Sequence, residues 1–417
     1  MNYSGDYLSK QGKVFPEITT SLNKNLGIIV VIPCYNEPDF INTLNSLYNC
    51  HKPDCAVEII VVINSSKADN IDIKENNIKL KNEINVWKKK HKDLDVHVIT
   101  KSDIPSEVAG VGYARKLGMD EAVFRFNKLN NPDGVIMSLD ADCLCDKDYF
   151  IEIEKNFYEN KSANLCILNF AHPLSGNEYS NEIYNAITKY ELYLRYYKHA
   201  LKYTGFPHSY YTIGSCLGVK SGIYAKQGGM VTKQAGEDFY FIQKLLPLNG
   251  IIEISKELVF PSPRISRRVP FGTGPAVNEI ISNKNTYKTF SFKTFTELKK
   301  IFDNLNYIYD TRKFDEFVNR NLNYGLDNYL YMINFTQLVN EIKNNTSNYK
   351  SFKKRFFLKF NALKILQYLN FAHKEYLKLV EINESVNDLL IALNLYDEKM
   401  VSSYDKLIAL REFDKIG

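Results

Sequence analysis

Short apolar runs alternate with amphipathic stretches over the first third of the chain. Four runs are rich in β-branched residues and end in polar or proline-containing loops: Leu26 to Ile32, Val57 to Ile63, Val96 to Thr100 and Val135 to Leu139. Such runs predict buried strands. Between the first two, Phe40, Ile41, Leu44 and Leu47 recur at helical spacing. The alternation of strand and helix predicts right-handed crossovers and a mostly parallel sheet.

The last third of the chain has a different pattern. From about Phe292 onward glycine and proline become rare, and apolar residues follow helical spacing, as in Leu326, Tyr329, Leu330 and Ile333. We therefore expect several packed helices there. This region could serve as a structural buttress or as the interface of a homo-oligomer. A peripheral membrane contact is a further alternative, because Lys353 to Arg355 lie beside aromatic residues.

Composition and charge narrow the class of protein. The 417 residues carry a net charge of +5 with the two signs mixed, which does not indicate a nucleic-acid-binding protein. Residues 1–13 are polar and show no signal peptide, and no stretch approaches the roughly 20 apolar residues that span a bilayer. We expect a cytoplasmic location, with the inner membrane face as an alternative. The 7 scattered cysteines predict free thiols.

Two carboxylates end the fourth apolar run. Asp140 and Asp142 are separated by one small residue, at the position where an open α/β sheet presents ligands. Two carboxylates this close repel each other unless a cation lies between them, and a divalent metal bound to a diphosphate would supply it. The alternative is that both residues only begin a turn or cap the next helix.

Two further segments carry candidate chemistry. Glu237 and Asp238 follow Gly236 and precede an apolar helical face, so they start a helix, where negative charge is favourable, or Asp238 acts as a general base. Residues 261–275 are dense in proline, glycine and arginine. Arg264, Arg267 and Arg268 could neutralise a phosphate, or the segment could be a domain linker.

Five blocks in this order resemble glycosyltransferase family 2. The blocks are Pro33-Cys34-Tyr35-Asn36-Glu37, Val61-Val62-Ile63-Asn64-Ser65-Ser66, Gly112-Tyr113-Ala114-Arg115-Lys116-Leu117-Gly118, Leu139-Asp140-Ala141-Asp142 and Gly236-Glu237-Asp238. The resemblance implies an α/β fold of the GT-A type, Rossmann-like, with a mostly parallel sheet flanked by helices. It also implies a nucleotide-sugar donor, a divalent metal (Mn²⁺ or Mg²⁺) and inversion at the anomeric carbon.

The resemblance also implies roles for single residues. Asp142, with Asp140, would hold the metal, and Asp140 would also lie near the ribose. Asp238 would be the general base, with Glu237 beside it. Donor contacts would come from Pro33, Tyr35, Glu37, Asn64 and Arg115, and from the basic residues Arg264, Arg267 and Arg268. Asn64 departs from the family pattern, which has a carboxylate there. The identity of the donor nucleoside therefore stays open, with uridine favoured and guanosine as the alternative.

These implications give the predicted organisation and function. We expect an N-terminal extension (1–25), a GT-A catalytic domain (26–290, with a nucleotide-binding half over 26–142 and an acceptor half over 143–290) and an α-helical subdomain (291–417). The predicted activity is transfer of a sugar, from a UDP-sugar by preference, to a glycan or lipid-linked glycan in bacterial surface-polysaccharide synthesis. A sugar nucleotidyltransferase and a non-catalytic nucleotide-sugar-binding scaffold are the alternatives.

Overall fold

A computed structural model of the chain describes residues 3–12, 16–232, 236–266, 272–310 and 322–416. These residues fall into two compact units. The first comprises the described residues within Met1–Glu178 and Thr212–Pro275, and the second those within Tyr179–Tyr211 and Ala276–Ile416. The domain limits expected from the sequence remain a prediction. The compact units divide the chain differently, because a long helix from the predicted acceptor half groups with the C-terminal helices.

One eight-stranded sheet forms the centre of the first unit. Its strands are β1 Leu26–Cys34, β2 Ala56–Ser66, β3 Asp95–Ile104, β4 Val135–Ser138, β5 Cys143–Cys145, β6 Leu165–Phe170, β7 Leu217–Lys220 and β8 Ile251–Pro261. The spatial order is β3-β2-β1-β4-β7-β6-β8-β5. The pairs β1/β2, β2/β3, β1/β4 and β6/β8 are parallel, whereas β7 is antiparallel to both β4 and β6, and β5 is antiparallel to β8.

Helices cover this sheet because its central strands are apolar along nearly their whole length. From Ile28 to Ile32, every side chain of β1 is at most 1% exposed. A parallel strand this apolar must be covered on both faces. The helices of the first unit are α1 Gly5–Lys10, α2 Phe40–Tyr48, α3 Ile71–Lys90, α4 Val111–Lys128, α5 Tyr149–Glu159, α7 Ser221–Lys226 and α8 Glu237–Leu245, followed by a 3₁₀ turn over Leu246–Leu248.

Within its described residues, the second unit consists of helices and one short strand pair. Its helices are α6 Asn181–Tyr203, α9 Thr273–Ser282 (from Ala276 onward), α10 Phe292–Asp303, α11 Leu305–Asp310, α12 Leu326–Met332, α13 Phe335–Asn344, α14 Tyr349–Lys359, α15 Ala362–Glu375, α16 Ile382–Ala392 and α17 Ser403–Ile416. Strands β9 Lys288–Thr289 and β10 Val380–Glu381 pair antiparallel. In the part of the chain that the structure describes, none of the helices combines the length and apolar character needed to cross a bilayer.

The structure confirms the predicted α/β fold and corrects two details. The mostly parallel sheet and the C-terminal helices are both present. From the sequence, residues 212–219 predict a strand whose glycines let a ligand or backbone approach closely, but the strand begins only at Leu217, because the residues before it form a loop. The aromatic residues considered for a membrane contact, Phe352, Phe356 and Phe357, are at most 2% exposed, so they belong to the helical core.

Candidate functional site

The candidate residues collect at one edge of the sheet. Strands β1, β2 and β4 are parallel and adjacent, so their carboxyl ends meet there. The loop after β1 carries Tyr35 and Glu37, Asn64 lies near the end of β2, and Asp140 and Asp142 follow β4. Pro33 lies within β1, opposite Val62 of β2. The strand pattern in the sequence thus placed these residues correctly at one edge.

Arg115 joins two of the predicted motifs. It belongs to α4 and is 2% exposed. Its Nη2 donates to Oδ1 of Asp140 at 2.5 Å, and its Nη1 donates to Oε1 of Glu237. A buried guanidinium is tolerated when its charge is paired in this way. The motif after β4 and the motif at the start of α8 are therefore held together by one arginine.

Asp238 lies next to this ion pair. It is half-buried, in the first turn of α8, and its Oδ1 accepts a hydrogen bond from the backbone amide of Phe239 at 2.7 Å. Burial raises the pKa of Asp238 and the charge of Asp140 adds to the rise, while the charge of Arg115 opposes it. A carboxylate with a raised pKa is a stronger proton acceptor, which suits a general base.

Arg264 joins two other motifs. Its two terminal nitrogens donate to the two carboxylate oxygens of Glu37, and Nη2 also lies 3.1 Å from Oδ2 of Asp142. A planar guanidinium suits such two-pronged binding. The proline- and arginine-rich segment therefore reaches the metal-motif aspartate through Arg264. Arg267 and Arg268 lie outside the described residues.

Neighbouring polar groups form hydrogen bonds with the residues that are expected to contact a base. The hydroxyl of Tyr35 donates to Oδ1 of Asp69 at 2.8 Å. The buried amide of Asn77, on α3, donates to the carbonyl of Asn64 at 3.1 Å and accepts from the backbone amide of Asn36 at 3.0 Å. Asn77 thus ties the end of β2 to the loop after β1. This role of Asn77 was not predicted from the sequence, although an asparagine on the buried face of a helix is a usable signal.

Gly214 is a second residue whose role was not assigned from the sequence. A Cβ atom at this position would lie 2.7 Å from Nη2 and 2.9 Å from Cζ of Arg115. The loop backbone before β7 therefore packs directly against the guanidinium. The prediction that glycines over residues 212–219 allow a close approach is correct for this segment. It did not identify the arginine as the group that packs against them.

Two cysteines lie near the site, the buried Cys143 and the half-buried Cys145. All seven cysteines lie in the described residues, and none of them forms a disulfide there. Burial raises the pKa values of Cys143 and Cys145 well above the ordinary value, so both stay protonated at neutral pH. Within the described ranges, no group of three or more His, Cys, Asp or Glu side chains is arranged to hold a metal ion.

Comparison with known proteins assigns the family. Residues 29–227 match the family model described as "Glycosyl transferase family 2". No curated protein matches the sequence significantly. Among solved structures, residues 1–349 of TarS from S. aureus show 12% identity and a TM-score of 0.41, covering 84% of this chain and 91% of that one.

Two further solved structures are similar to the chain. TarS in complex with UDP-GlcNAc shows 14% identity and a TM-score of 0.41, with coverage of 84% of this chain and 91% of the other. The mannosyltransferase PcManGT from Pyrobaculum calidifontis, in complex with GDP-Man and Mn²⁺, shows 12% identity and a TM-score of 0.37, with coverage of 99% and 93%. Because these identities and TM-scores are low, the likenesses assign neither a donor nor a metal to this chain.

The sequence match and the arrangement at the sheet edge agree. The matched residues include the blocks around Glu37, Asn64, Arg115 and Asp142, and the structure brings these blocks together. Over residues 29–227 the chain therefore belongs to glycosyl transferase family 2, and the protein is a glycosyltransferase.

Proposed function

We propose that the protein transfers a sugar from a nucleoside-diphosphate sugar to a hydroxyl group of a glycan or lipid-linked glycan, with inversion, in the synthesis of bacterial surface polysaccharide. One observation carries this proposal: Arg115 links Asp140 to Glu237, next to Asp238. This arrangement holds two groups at one edge of the sheet. The first is an acidic pair that can bind a cation for the donor diphosphate, and the second is a carboxylate suited to accept a proton. A UDP-sugar is the favoured donor, and a GDP-sugar is the alternative.

Asp238 is the proposed general base. An acceptor hydroxyl is a weak nucleophile until its proton is removed during attack on the anomeric carbon. Removal of that proton by Asp238 allows the oxygen to attack as the bond to the diphosphate breaks. Arg115, which is buried and doubly paired, is proposed to position Asp140 and Glu237 rather than to take the proton.

Asp142 and Asp140 are the residues proposed to hold a divalent cation. Their side chains are 28% and 37% exposed, so both carboxylates are accessible from solvent. Mg²⁺ and Mn²⁺ accept oxygen ligands, and one or two carboxylates together with substrate phosphates are a usual set for Mg²⁺. The residues present therefore fit the cation. When bound, it would stabilise the negative charge that develops on the leaving diphosphate.

Pro33, Tyr35, Glu37 and Asn64 are proposed to bind the nucleoside of the donor. They lie on β1, β2 and the loop after β1, at the edge where doubly wound sheets bind nucleotides. The amide of Asn64 can both donate and accept, so it can read either uracil or guanine. Arg264 is proposed to move from Glu37 and Asp142 to the donor phosphates.

The first test is replacement of the proposed base. Asp238→Asn should lower release of nucleoside diphosphate from UDP- or GDP-sugars, supplied with a panel of hydroxyl acceptors, by about 10²–10⁴-fold, because general base catalysis contributes that much. Donor binding should persist, seen as an unchanged rise in melting temperature with nucleotide and Mn²⁺. The matched control is Asp93→Asn, whose side chain is 63% exposed and distant in sequence from every motif.

Three results would change the proposal. Wild-type turnover in Asp238→Asn would remove the base assignment. Release of pyrophosphate rather than nucleoside diphosphate would indicate a nucleotidyltransferase. A metal-dependent shift in melting temperature, abolished by Asp142→Ala but never accompanied by turnover, would favour a nucleotide-sugar-binding scaffold.

A further inference from the structure

Buried polar residues of helix α4 have hydrogen-bond partners in the segment before β1. Asp120, Glu121 and Asn127 are at most 8% exposed. Each accepts hydrogen bonds from that segment: Asp120 from the hydroxyl of Tyr7 at 2.6 Å, Glu121 from the backbone amides of Glu17 and Ile18 at 2.9 and 3.3 Å, and Asn127 from the backbone amide of Ser4 at 3.3 Å. Because buried polar groups need such partners, these bonds fix the segment to α4, the helix that carries Arg115.

Tyr7 lies at the centre of these contacts and is 7% exposed. Its hydroxyl donates to Oδ1 of Asp120 and accepts a hydrogen bond from Nζ of Lys116 at 3.0 Å. Lys116 also donates to Oδ2 of Asp120 at 2.8 Å, and the hydroxyl of Tyr224, on α7, donates to Oδ1 at 2.9 Å. Burial and the charge of Asp120 raise the pKa of Tyr7, so its hydroxyl keeps the proton that it donates. We call Tyr7, Lys116, Asp120 and Tyr224 the Tyr7 cluster.

The Tyr7 cluster also contacts the turn that leads to α8. A Cβ atom at Gly229 would overlap the hydroxyl of Tyr7 and lie 2.8 Å from its Cζ, so the backbone of this turn packs directly on the tyrosine. Lys244 of α8 donates to the carbonyl of Gly229 at 3.2 Å. The ring of Phe241, also on α8, packs on that of Tyr224 with the ring centroids 5.6 Å apart. The cluster therefore connects α4 to α8.

Helices α4 and α8 are thus joined at two places. At the site, Arg115 of α4 binds Glu237 of α8, next to Asp238. Away from the site, they are joined through the Tyr7 cluster. Asp120 follows Arg115 by five residues, about 7.5 Å along its helix, and Lys244 follows Glu237 by seven, about 10 Å. Because a helix transmits a displacement along its axis, a change at the cluster should alter the geometry at the site.

We propose that Tyr7 is a positioning residue for sugar transfer. It sets the distance between α4 and α8, and thereby the distance from Arg115 to Glu237 and Asp238. Tyr7 itself transfers no proton in this proposal. The inference rests on the proposed function of the site, but Tyr7 lies outside residues 29–227, so the family assignment does not imply its role.

Tyr7→Phe tests the role of the hydroxyl. The variant keeps the ring, and Lys116 and Tyr224 still bind Asp120, so we expect it to fold with a nearly unchanged melting temperature. Misplacement of a catalytic group by about 1 Å can cost about 100-fold in rate, so about half that displacement corresponds to about a tenfold loss in kcat. The donor KM and the rise in melting temperature with nucleotide should stay unchanged, because the variant affects the geometry of transfer and not donor binding.

Tyr3→Phe is the matched control in the same segment. The hydroxyls of Tyr3 and Ser221 share a hydrogen bond at 2.5 Å, so this variant also removes a bond to α7 but leaves the Tyr7 cluster intact. It should keep kcat within about twofold of the wild type. A double-mutant cycle then tests the route to the site. If Tyr7 acts through Arg115, Tyr7→Phe should lower kcat by less than about twofold in the Arg115→Lys background.

Hydrogen exchange gives a readout that requires no acceptor. Exchange of the backbone amides is followed by mass spectrometry on the full chain. Amides of α8 should exchange faster in Tyr7→Phe than in the wild type or in Tyr3→Phe, because α8 has lost part of its support. Amides of β1 and β2 should exchange as in the wild type.

Three outcomes would overturn the proposal. The first is wild-type exchange in α8 of Tyr7→Phe. The second is an equal effect of Tyr3→Phe, which would indicate general loosening of the segment before β1. The third is an undiminished loss of kcat when Tyr7→Phe is added to Arg115→Lys. A wild-type rate in Asp238→Asn would instead remove the base assignment of the proposed function, and the exchange result would still test the connection between α4 and α8.

Discussion

At the scale of single residues, the site depends on how one guanidinium is held. Arg115 donates to Asp140 and Glu237 on one side, and the backbone of Gly214 packs against it on another. The carboxylates orient the arginine through hydrogen bonds, whereas the glycine acts by leaving space. Both kinds of contact set the distance between the aspartates after β4 and the proposed base. Small displacements of this arginine should therefore affect catalysis more than folding.

Gly214→Ala is expected to lower the rate of transfer. The new Cβ would lie 2.7 Å from Nη2 of Arg115, so the guanidinium must shift. Misplacement of a catalytic group by about 1 Å can cost about 100-fold in rate, and we expect a loss in kcat of that order. Steady-state kinetics would show it, and the melting temperature should change little.

A double-mutant cycle distinguishes this mechanism from general damage. Arg115→Lys removes the planar group that the alanine would displace. If both changes act through the guanidinium, their effects on kcat should not add. Fully additive losses in Gly214→Ala/Arg115→Lys would contradict the assigned contact.

At the scale of elements, buried charges as well as apolar contacts hold helices of the second unit to one another. Asp414 of α17 accepts hydrogen bonds from Arg195 and Lys198 of α6 and, at 2.7 Å, from the hydroxyl of Tyr211. Burial alone would raise the pKa of Asp414, but His199, Lys198 and Arg195 hold it well below its usual range. The last helix is thereby locked to the long helix α6.

Asp414→Asn should destabilise the protein by about 3–5 kcal/mol. Removal of one partner from a buried ion pair leaves the remaining charges uncompensated, and that is the usual cost. Urea denaturation followed by circular dichroism would measure the change. The control is Glu412→Gln in the same helix, an exposed residue paired with Lys415, which should change stability by less than about 1 kcal/mol. Equal effects in the two variants would show that the Asp414 cluster contributes no special stability.

At the scale of the whole molecule, buried histidines link stability to pH. Burial, together with the nearby charges of Arg125 and Lys88, lowers the pKa of His97 from 6.5 to about 4. Glu58, 3.8 Å from His97, does not reverse this, because Arg125 already binds both of its oxygens. Burial also lowers the pKa values of His199, His208 and His373 in the second unit.

Stability should therefore fall as the pH falls from about 6.5 toward 4. In this window the unfolded chain binds protons that the folded chain does not, which favours unfolding. A pKa shift from 6.5 to about 4 corresponds to at most about 3 kcal/mol from His97. The free energy of unfolding, measured at several pH values, should depend less steeply on pH in His97→Gln. Identical slopes in the variant and the wild type would exclude this contribution.

Local patterns in the sequence were enough to predict the first four strands, the C-terminal helices and the order of the motifs. Apolar runs predicted β1, β2, β3 and β4 within a few residues, because a strand covered on both faces must be apolar throughout. Helical spacing likewise predicted the C-terminal helices. The polar residues at strand ends predicted the site edge, because parallel strands end together. All of these are properties of neighbouring residues, so a local pattern can show them.

Which charged groups meet is visible only in the folded chain. Arg115 and Glu237 are 122 positions apart, and Arg264 and Glu37 are 227 apart. No local pattern specifies such pairs, because the partner depends on how loops pack after the sheet has formed. The same holds for Gly214 against Arg115, for Asn77 between β1 and β2, and for α6, which groups with the C-terminal helices through Asp414. The separation of two residues along the sequence does not predict these contacts, since burial and charge pairing arise only in the folded state.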